Sequence, residues 1–219
     1  MQRVRIGGVG LVVALGSLSA CSPAKSSTAS DAGNDAPTCT TPFAGDPGQA
    51  PQMELVAMGM NNEVTTLQEG SGVPLMFPPQ AGRVAFVGVH AKNVDPCTVE
   101  LTAAFKDPVS GQVRLDQRLI NLRVADGGMA YSAPGAINLW ANIPVCPNQW
   151  SQQDAIGTTY LLNVTLKERG GREQNVHMNI VPYCGDPTDE DCTCICRAGY
   201  QLGQSCVMDG GMMDAGDGG

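Results

Sequence analysis

Nine cysteines offer more chemistry than any other residues in this chain: Cys21, Cys39, Cys97, Cys146, Cys184, Cys192, Cys194, Cys196 and Cys206. A cysteine thiolate can bind a metal or act as a nucleophile, whereas paired cysteines form disulfides in an oxidising compartment. The compartment therefore decides between these possibilities, and the N-terminal residues bear on that choice.

The first 20 residues have the pattern of a secretory signal peptide. Arg3 and Arg5 give a positive start, residues 6–18 are uncharged and mostly apolar, and Ser19 and Ala20 are small. An apolar run of this length spans about 20 Å as a helix, which is too short for a bilayer core of about 30 Å. The pattern predicts an exported chain with residues 1–20 removed, not a membrane span.

Leu18-Ser19-Ala20-Cys21 resembles the lipobox of bacterial lipoproteins. The resemblance implies cleavage before Cys21, a diacylglyceryl group on its thiol and a further acyl chain, such as palmitate, on its amine. Because each buried CH₂ contributes about 0.8 kcal/mol, two or three chains form a firm membrane anchor. Ser22 stands where lipoproteins retained in the inner membrane often carry Asp, which favours the outer membrane. The alternative is an ordinary signal peptide followed by an incidental cysteine.

Eight cysteines remain if Cys21 carries lipid, and an even number in an exported chain favours four disulfides. Roughly a hundred pairings are possible, so most of the connectivity stays open. Cys97 and Cys146 each lie beside a proline at the end of a predicted strand, and we expect them to pair. Cys39 is expected to link the N-terminal tether to the folded domain.

The closely spaced Cys192, Cys194 and Cys196 also invite a metal interpretation. Structural zinc sites usually place about two to four residues between paired ligands. A single intervening residue on an extended chain sends neighbouring side chains to opposite sides. Disulfides are therefore favoured over a metal site, and no cofactor is predicted.

Acidic residues crowd ahead of Cys192. A calcium site needs several oxygen ligands at spaced positions, and a solvated acidic loop fits this run better. The residues are Asp186, Asp189, Glu190 and Asp191.

Residues 194–206 resemble the second half of an EGF-like module, through Cys194-Ile195-Cys196-Arg197-Ala198-Gly199-Tyr200 followed by Cys206. The resemblance implies a Cys196–Cys206 disulfide, with Gly199 supplying a backbone conformation that other residues resist. A full module needs three more cysteines at wider spacings, and Cys192 lies too close to Cys194. Residues 184–206 are therefore predicted to be a Cys-rich, EGF-like fragment.

The chain contains two histidines, His90 and His177. Alternation places His177 on the solvent face of a strand, and His90 ends an apolar strand. The sequence contains neither H-E-x-x-H nor G-x-S-x-G, nor a Gly-rich phosphate loop ending in Lys. No catalytic residue is predicted. The alternative is an envelope hydrolase with a dispersed active site that uses His90 or His177.

The charge balance excludes some partners. The removed leader holds two of the 13 Lys and Arg and none of the 21 Asp and Glu, so the mature chain has a net charge of −10. Nucleic acid and anionic lipid surfaces both select clustered Lys and Arg. This acidic chain is therefore predicted not to bind nucleic acid.

Composition divides the mature chain into four parts. Residues 21–44 are rich in Ser, Ala, Thr, Asp and Pro and form a lipidated flexible tether. Residues 45–183 are the segment able to build a core, 184–206 are the Cys-rich fragment, and 207–219 are a disordered Gly/Asp/Met tail.

The core segment has strand periodicity. Apolar and polar residues alternate over 98–107, 160–168 and 173–182, whereas 84–91 is continuously apolar, as expected of a central strand. Residues 53–58 are predicted to form the first strand, and 136–143 have a weaker strand pattern.

Turn signals separate these strands. Gly170-Gly171 predicts a tight hairpin, and residues 107–111 a longer one. In 112–123 the apolar positions change parity, which predicts a bulge near Gln117-Arg118. Frequent short strands predict an all-β, immunoglobulin-like antiparallel β-sandwich.

One aromatic residue is a candidate ligand contact. Trp150 lies in the polar run Asn148–Gln152, just after Cys146, and could be exposed on a linked loop. The alternative is that Trp150 packs over a disulfide. Together these features predict a non-catalytic envelope lipoprotein with a binding, adhesion or structural role, whose partner is a protein or a polysaccharide.

Overall fold

The computed structural model describes residues 39–78 and 81–206. The predicted signal peptide, the lipidation site Cys21, most of the tether and the tail 207–219 lie outside the described residues. Within the described ranges, no helix is long and apolar enough to cross a membrane.

The described chain is built almost entirely from strands. They are β1 (Gln52–Met58), β2 (Val64–Thr66), β3 (Ser71–Met76), β4 (Arg83–Lys92), β5 (Val99–Lys106), β6 (Val113–Ile120), β7 (Arg123–Ala125), β8 (Met129–Tyr131), β9 (Ala141–Cys146), β10 (Tyr160–Lys167) and β11 (Glu173–Cys184). Two 3₁₀ turns cover Met60–Asn62 and Ile137–Leu139, and one α-helix, α1, covers Glu190–Ile195.

The strands form a single curled sheet with two packed halves. One half pairs β1, β4 and β9, and the other has the order β6-β5-β10-β11. Strand β3 joins them, antiparallel to β4 and parallel to β11. This distribution is that of an immunoglobulin-like sandwich, so the predicted fold class is confirmed. The parallel β3–β11 pair is an addition to the antiparallel arrangement that alternation predicted.

The core lies between the two halves and follows the predicted alternation. The inward side chains of β5 and β10 are buried, and the residues between them are not. These buried residues are Val99, Leu101, Ala103, Phe105, Tyr160, Leu162, Val164 and Leu166. The predicted hairpin at Gly170-Gly171 joins β10 to β11 in continuous register.

Strand β4 is buried on both faces, which explains its unbroken apolar sequence. Its outer face is covered by Trp140, whose indole N–H donates to the Ala133 carbonyl at 2.9 Å. Trp140 fits there because Gly88 lies beneath its ring. The strand predicted at 136–143 begins later than expected, at Ala141, since Ile137–Leu139 forms a 3₁₀ turn.

The bulge predicted near Gln117-Arg118 is wrong. Pairing of β6 with β5 runs without a break from Val113↔Lys106 to Ile120↔Val99. The change of parity instead marks a strand whose early apolar side chains face outward. Only Ile120, at its end, contributes a fully buried apolar side chain.

Each of the eight described cysteines forms a disulfide: Cys39–Cys97, Cys146–Cys196, Cys184–Cys192 and Cys194–Cys206. The expected Cys97–Cys146 pair is wrong because Cys146 pairs in the sheet with Arg83, at the start of β4, whereas Cys97 follows the end of that strand. A ten-residue strand separates these positions by about 30 Å.

The Cys196–Cys206 pair implied by the EGF resemblance is also wrong. The three closely spaced cysteines lie on or beside α1, not on an extended chain. Residues four apart share a helix face, so Cys192 and Cys196 are both buried against the sandwich and Cys194 is left for Cys206.

A buried ion pair fixes α1 to the sandwich. The Arg83 guanidinium donates to both carboxylate oxygens of Asp189 and lies 4.7 Å from the centre of the Phe77 ring. Asp189 also accepts the Cys192 N–H as the helix N-cap. The acidic run is therefore not wholly a solvated loop, since Asp189 serves as a structural anchor.

The N-terminal boundary lies earlier than residue 45. Cys39 is bonded to Cys97, and Ala44 is buried and bridges to Val94. Residues 39–44 were predicted as part of the flexible tether, yet they belong to the folded unit.

We expect Gly88→Ala to destabilise the sandwich by about 1–3 kcal/mol through overpacking. A β-carbon there would lie 2.6 Å from the Trp140 ring and 2.7 Å from the Ser132 β-carbon. Urea unfolding measures the loss. Gly170→Ala is the matched control, because its β-carbon meets nothing within 4 Å. Equal stability of the two variants would contradict the close packing of Trp140 on Gly88.

Candidate functional site

Trp150 is not a ligand contact of the kind predicted. Its side chain is buried, its indole N–H donates to the Val145 carbonyl at 2.8 Å, and its ring lies 5.4 Å from that of Tyr160. The Tyr160 hydroxyl in turn donates to backbone carbonyls of Gln153 and Asp154, the arrangement of a tyrosine corner. The polar loop after Cys146 is thus folded inward around two aromatic rings.

The two histidines do not share a site. His90 lies on the outer face of β4, opposite Glu54, with Nδ1 4.0 Å from a carboxylate oxygen of that residue. His177 lies on the outer face of β11, opposite Asn163. The outer faces of the two halves point away from each other, so a hydrolase could use one histidine but not both together.

A shallow pocket of about 190 Å³ adjoins His90. Its lining residues are Gln52, Met53, Glu54, His90, Lys92 and Met129. None of these described lining residues carries a hydroxyl or a thiol, so a nucleophile of the serine or cysteine type is missing from this pocket. Among the described residues no three His, Cys, Asp or Glu side chains are placed to hold a metal ion.

A larger groove of about 430 Å³ lies over the outer face of β4 and β9. Its floor includes Val84 and Phe86, and Arg118 lies at its side. Arg118 is not free for a ligand, because its Nε donates to the Asp116 carboxylate. The same carboxylate accepts the Asn142 N–H of β9 at 2.7 Å, so this ion pair closes the seam between β6 and β9.

A broad uncovered surface among the described residues is the outer face of the four-stranded half, here called the outer sheet face. It consists of Val113, Leu115, Gln117 and Leu119 of β6; Glu100, Thr102, Ala104 and Lys106 of β5; Leu161, Asn163, Thr165 and Lys167 of β10; and Glu173, Asn175, His177 and Asn179 of β11. These residues share one face because directly paired residues project to the same side of a sheet.

One edge of this face is a row of exposed aliphatic side chains. Val113, Leu115 and Leu119 are 46%, 53% and 70% exposed. Isolated exposed leucines are ordinary, but three aliphatic side chains among the four outward positions of one strand, interrupted by Gln117, are the surface pattern of an interaction site. On the neighbouring strand, Ala104 and Thr102 are half-buried.

The charges of the outer sheet face cancel. Lys106 and Lys167 balance Glu100 and Glu173, although the full sequence has a net charge of −8. Among the described residues, none of the ion pairs involves these four side chains. The four strands therefore present equal numbers of unpaired positive and negative charges, and the Glu69 carboxylate adjoins the face at Asn179.

The position of β6 depends on a buried carboxylate. Asp107 directly follows β5, and it accepts hydrogen bonds from Ser110 Oγ, Val109 N and Gln152 N at 2.7–3.1 Å. Burial by itself raises the pKa of this carboxyl group, but these bonds and one from Gln153 outweigh it and hold the pKa well below its ordinary value. Asp107 thus fixes the turn that sets the register of the exposed row.

The sequence interpretation missed this row because it explained the change of parity in 112–123 by a bulge. The available signal was the parity of Ile120: a strand without a bulge that buries Ile120 turns Val113, Leu115 and Leu119 outward. Arg114, Asp116 and Arg118 then face inward and are partly buried, and Asp116 and Arg118 lie at the seam with β9.

Comparison with protein-family models, with curated proteins and with solved structures finds no match. The functional argument therefore depends on the residues of this chain.

We expect Asp107→Asn to lower the free energy of unfolding at pH 7 by about 1–3 kcal/mol, because an amide cannot accept all the bonds that converge there. The ordinary pKa of about 3.9 applies in the unfolded chain. A lowered folded-state pKa means that the Asp107 contribution is present above about pH 4 and is lost as the pH falls below it.

Thermal or urea unfolding at pH 7 and pH 3 tests this expectation, since the gap between the two proteins should narrow on acidification. The exposed Asp126 gives the matched control, and Asp126→Asn should change stability by less than about 0.5 kcal/mol. A gap that stays constant between the two pH values would rule out an ionised Asp107 as its source.

Proposed function

We propose that this chain is an exported, lipid-anchored and non-catalytic binding module of the cell envelope, held through Cys21 and more suited to the outer than to the inner membrane. In this proposal the outer sheet face contacts a protein partner. The observation that carries it is the exposed row Val113, Leu115 and Leu119 on the edge strand.

The aliphatic row favours a protein partner over a polysaccharide. Burying Leu115 and Leu119 removes apolar surface from water, at about 25 cal/mol per Å², and a protein surface can supply matching apolar side chains. The polar rim of Asn163, Asn175 and His177 can then fix orientation through hydrogen bonds.

The anchoring of the domain supports the same role. A folded unit that begins at Cys39 leaves 17 residues between it and Cys21. The disulfides, which crosslink both ends of the sandwich, suit a domain exposed to an oxidising exterior.

The test is photocrosslinking in intact cells that express the full chain. A photoreactive aromatic residue in place of Leu119 is expected to give a discrete protein adduct on illumination. The same residue in place of Leu202, which is also 70% exposed but lies in the C-terminal segment, is the matched control and is expected to give none. Absence of an adduct from position 119 would contradict the proposed binding face.

A further inference from the structure

We infer that the partner of the outer sheet face is a second copy of the same chain, related to the first by a two-fold axis. This axis lies between the two faces, parallel to the sheets and perpendicular to the strands. This inference rests on the proposed function and names its partner. It is carried by the way the apolar and charged residues of the face match their own image under this one symmetry operation.

The register of the sheet defines the axis. Ala103 of β5 is paired with Asp116 of β6 and with Val164 of β10, and Val164 is paired with Val176 of β11. These four residues mark one line across the sheet. A two-fold axis above that line places each strand over the same strand of the other copy, running in the opposite direction.

At the positions of β6 and β5 that lie three residues from this line, the symmetry pairs apolar with apolar and positive with negative, whereas Leu115 lies over Gln117. Val113 and Leu119 lie three residues from this line on opposite sides, so Val113 of one copy lies over Leu119 of the second copy. Lys106 and Glu100 are related to the line in the same way, so Lys106 of one copy lies over Glu100 of the second copy. Each contact occurs twice, as in every isologous interface. Lys106 and Glu100 make no ion pair within the described chain, so their charges are available for this contact.

The remaining positions are compatible with this arrangement. Leu161 lies over the aliphatic stem of Lys167, and Glu173 lies over Asn179, whose side-chain amide donates to Glu69. Among the paired positions of the four strands, no two like charges are directly opposed. A two-fold axis parallel to the strands would instead place Leu119 over Glu173, which leaves an aliphatic side chain against a carboxylate.

The size of the face predicts a weak contact. Four strands about 4.8 Å apart and seven residues at about 3.3 Å each give a footprint of roughly 400 Å² per copy, below the approximately 800 Å² that a standard stable interface buries on each side. Anchoring both copies in one membrane would raise their effective concentration, which compensates for weak pairwise affinity.

The neutral face also lets two acidic chains approach. Copies with a net charge of −10 repel each other over most orientations, and like-charge contacts oppose association. The four strands of the outer sheet face carry equal numbers of Lys and Glu, and the orientation described opposes Lys106 to Glu100 at both contacts.

Charge reversal in the full, membrane-anchored chain tests the inference, with the photoreactive residue at position 119 as probe. The unaltered chain is expected to give an adduct of twice the chain mass. Each single variant, Lys106→Glu or Glu100→Lys, places two like charges opposite each other at both contacts. Each is expected to reduce the yield of that adduct at least about tenfold. The double variant is expected to restore it.

Co-expression gives the sharpest result. A chain with Lys106→Glu and a chain with Glu100→Lys should each fail to pair with itself, yet they should form a mixed adduct, because both contacts between them are then complementary. Lys92→Glu is the matched control, since it makes the same charge change on the other half of the sandwich and is expected to leave the adduct unchanged.

The identity of the adduct separates the two proposals. An adduct with a different protein at position 119 would overturn self-association and leave the binding module standing. A twofold-mass adduct that is indifferent to Lys106→Glu and Glu100→Lys would overturn the proposed symmetry. No adduct at all would overturn both. Resistance of the purified variants to thiol alkylation before reduction shows that the four disulfides, and hence the fold, are intact.

Discussion

Burial of alternate side chains from β5 and β10 is the constraint on which the other features depend. Once Leu101, Phe105, Leu162 and Leu166 pack inward, the residues between them must face outward. The continuous register from β11 to β6 then carries that choice across four strands. A shift of one residue would exchange the core with the surface, so the same pairing that builds the core also presents the outer sheet face.

The two ends of the sandwich are secured by different means. At one end, Cys39–Cys97 and the buried Ala44 hold the start of the domain. At the other end, Cys146–Cys196 and the Arg83–Asp189 ion pair attach α1 to β9 and β4. Breaking a buried ion pair leaves an uncompensated charge, so Arg83 and Asp189 act as a unit with the neighbouring disulfide. The Cys-rich segment is therefore a cap on the sandwich, not a separate module.

The outer sheet face is the part of the sandwich that its own chain does not cover. The outer surface of β4 is enclosed by Trp140 and the turn before β9, and the seam between β6 and β9 is closed by Asp116 and Arg118. Nothing comparable covers Leu115 or Leu119 among the described residues. This contrast between an enclosed face and an open face is the structural basis for placing the binding surface on the four-stranded half.

Local patterns were sufficient for the strands whose alternation is regular. β5, β10 and β11, the Gly170-Gly171 hairpin and the all-β class follow from period-two burial and turn chemistry, which depend on near neighbours. The short strands β2, β3, β7 and β8 were missed because three to six residues show too little alternation, and β3 and β8 also depend on pairing with distant strands. The orientation of β6 was misread because its polar residues are satisfied by β9, which is remote in sequence.

By itself, the sequence determined the β-rich class, the acidic surface, the resemblance to a lipoprotein leader and the expectation that the cysteines pair, since composition and spacing carry these properties. Only the tertiary structure decided which cysteines meet, that Trp150 is buried and that Leu115 and Leu119 are exposed. The physical reason is that disulfide connectivity and side-chain exposure depend on which segments fold against each other, and that information is spread over contacts far apart in the chain.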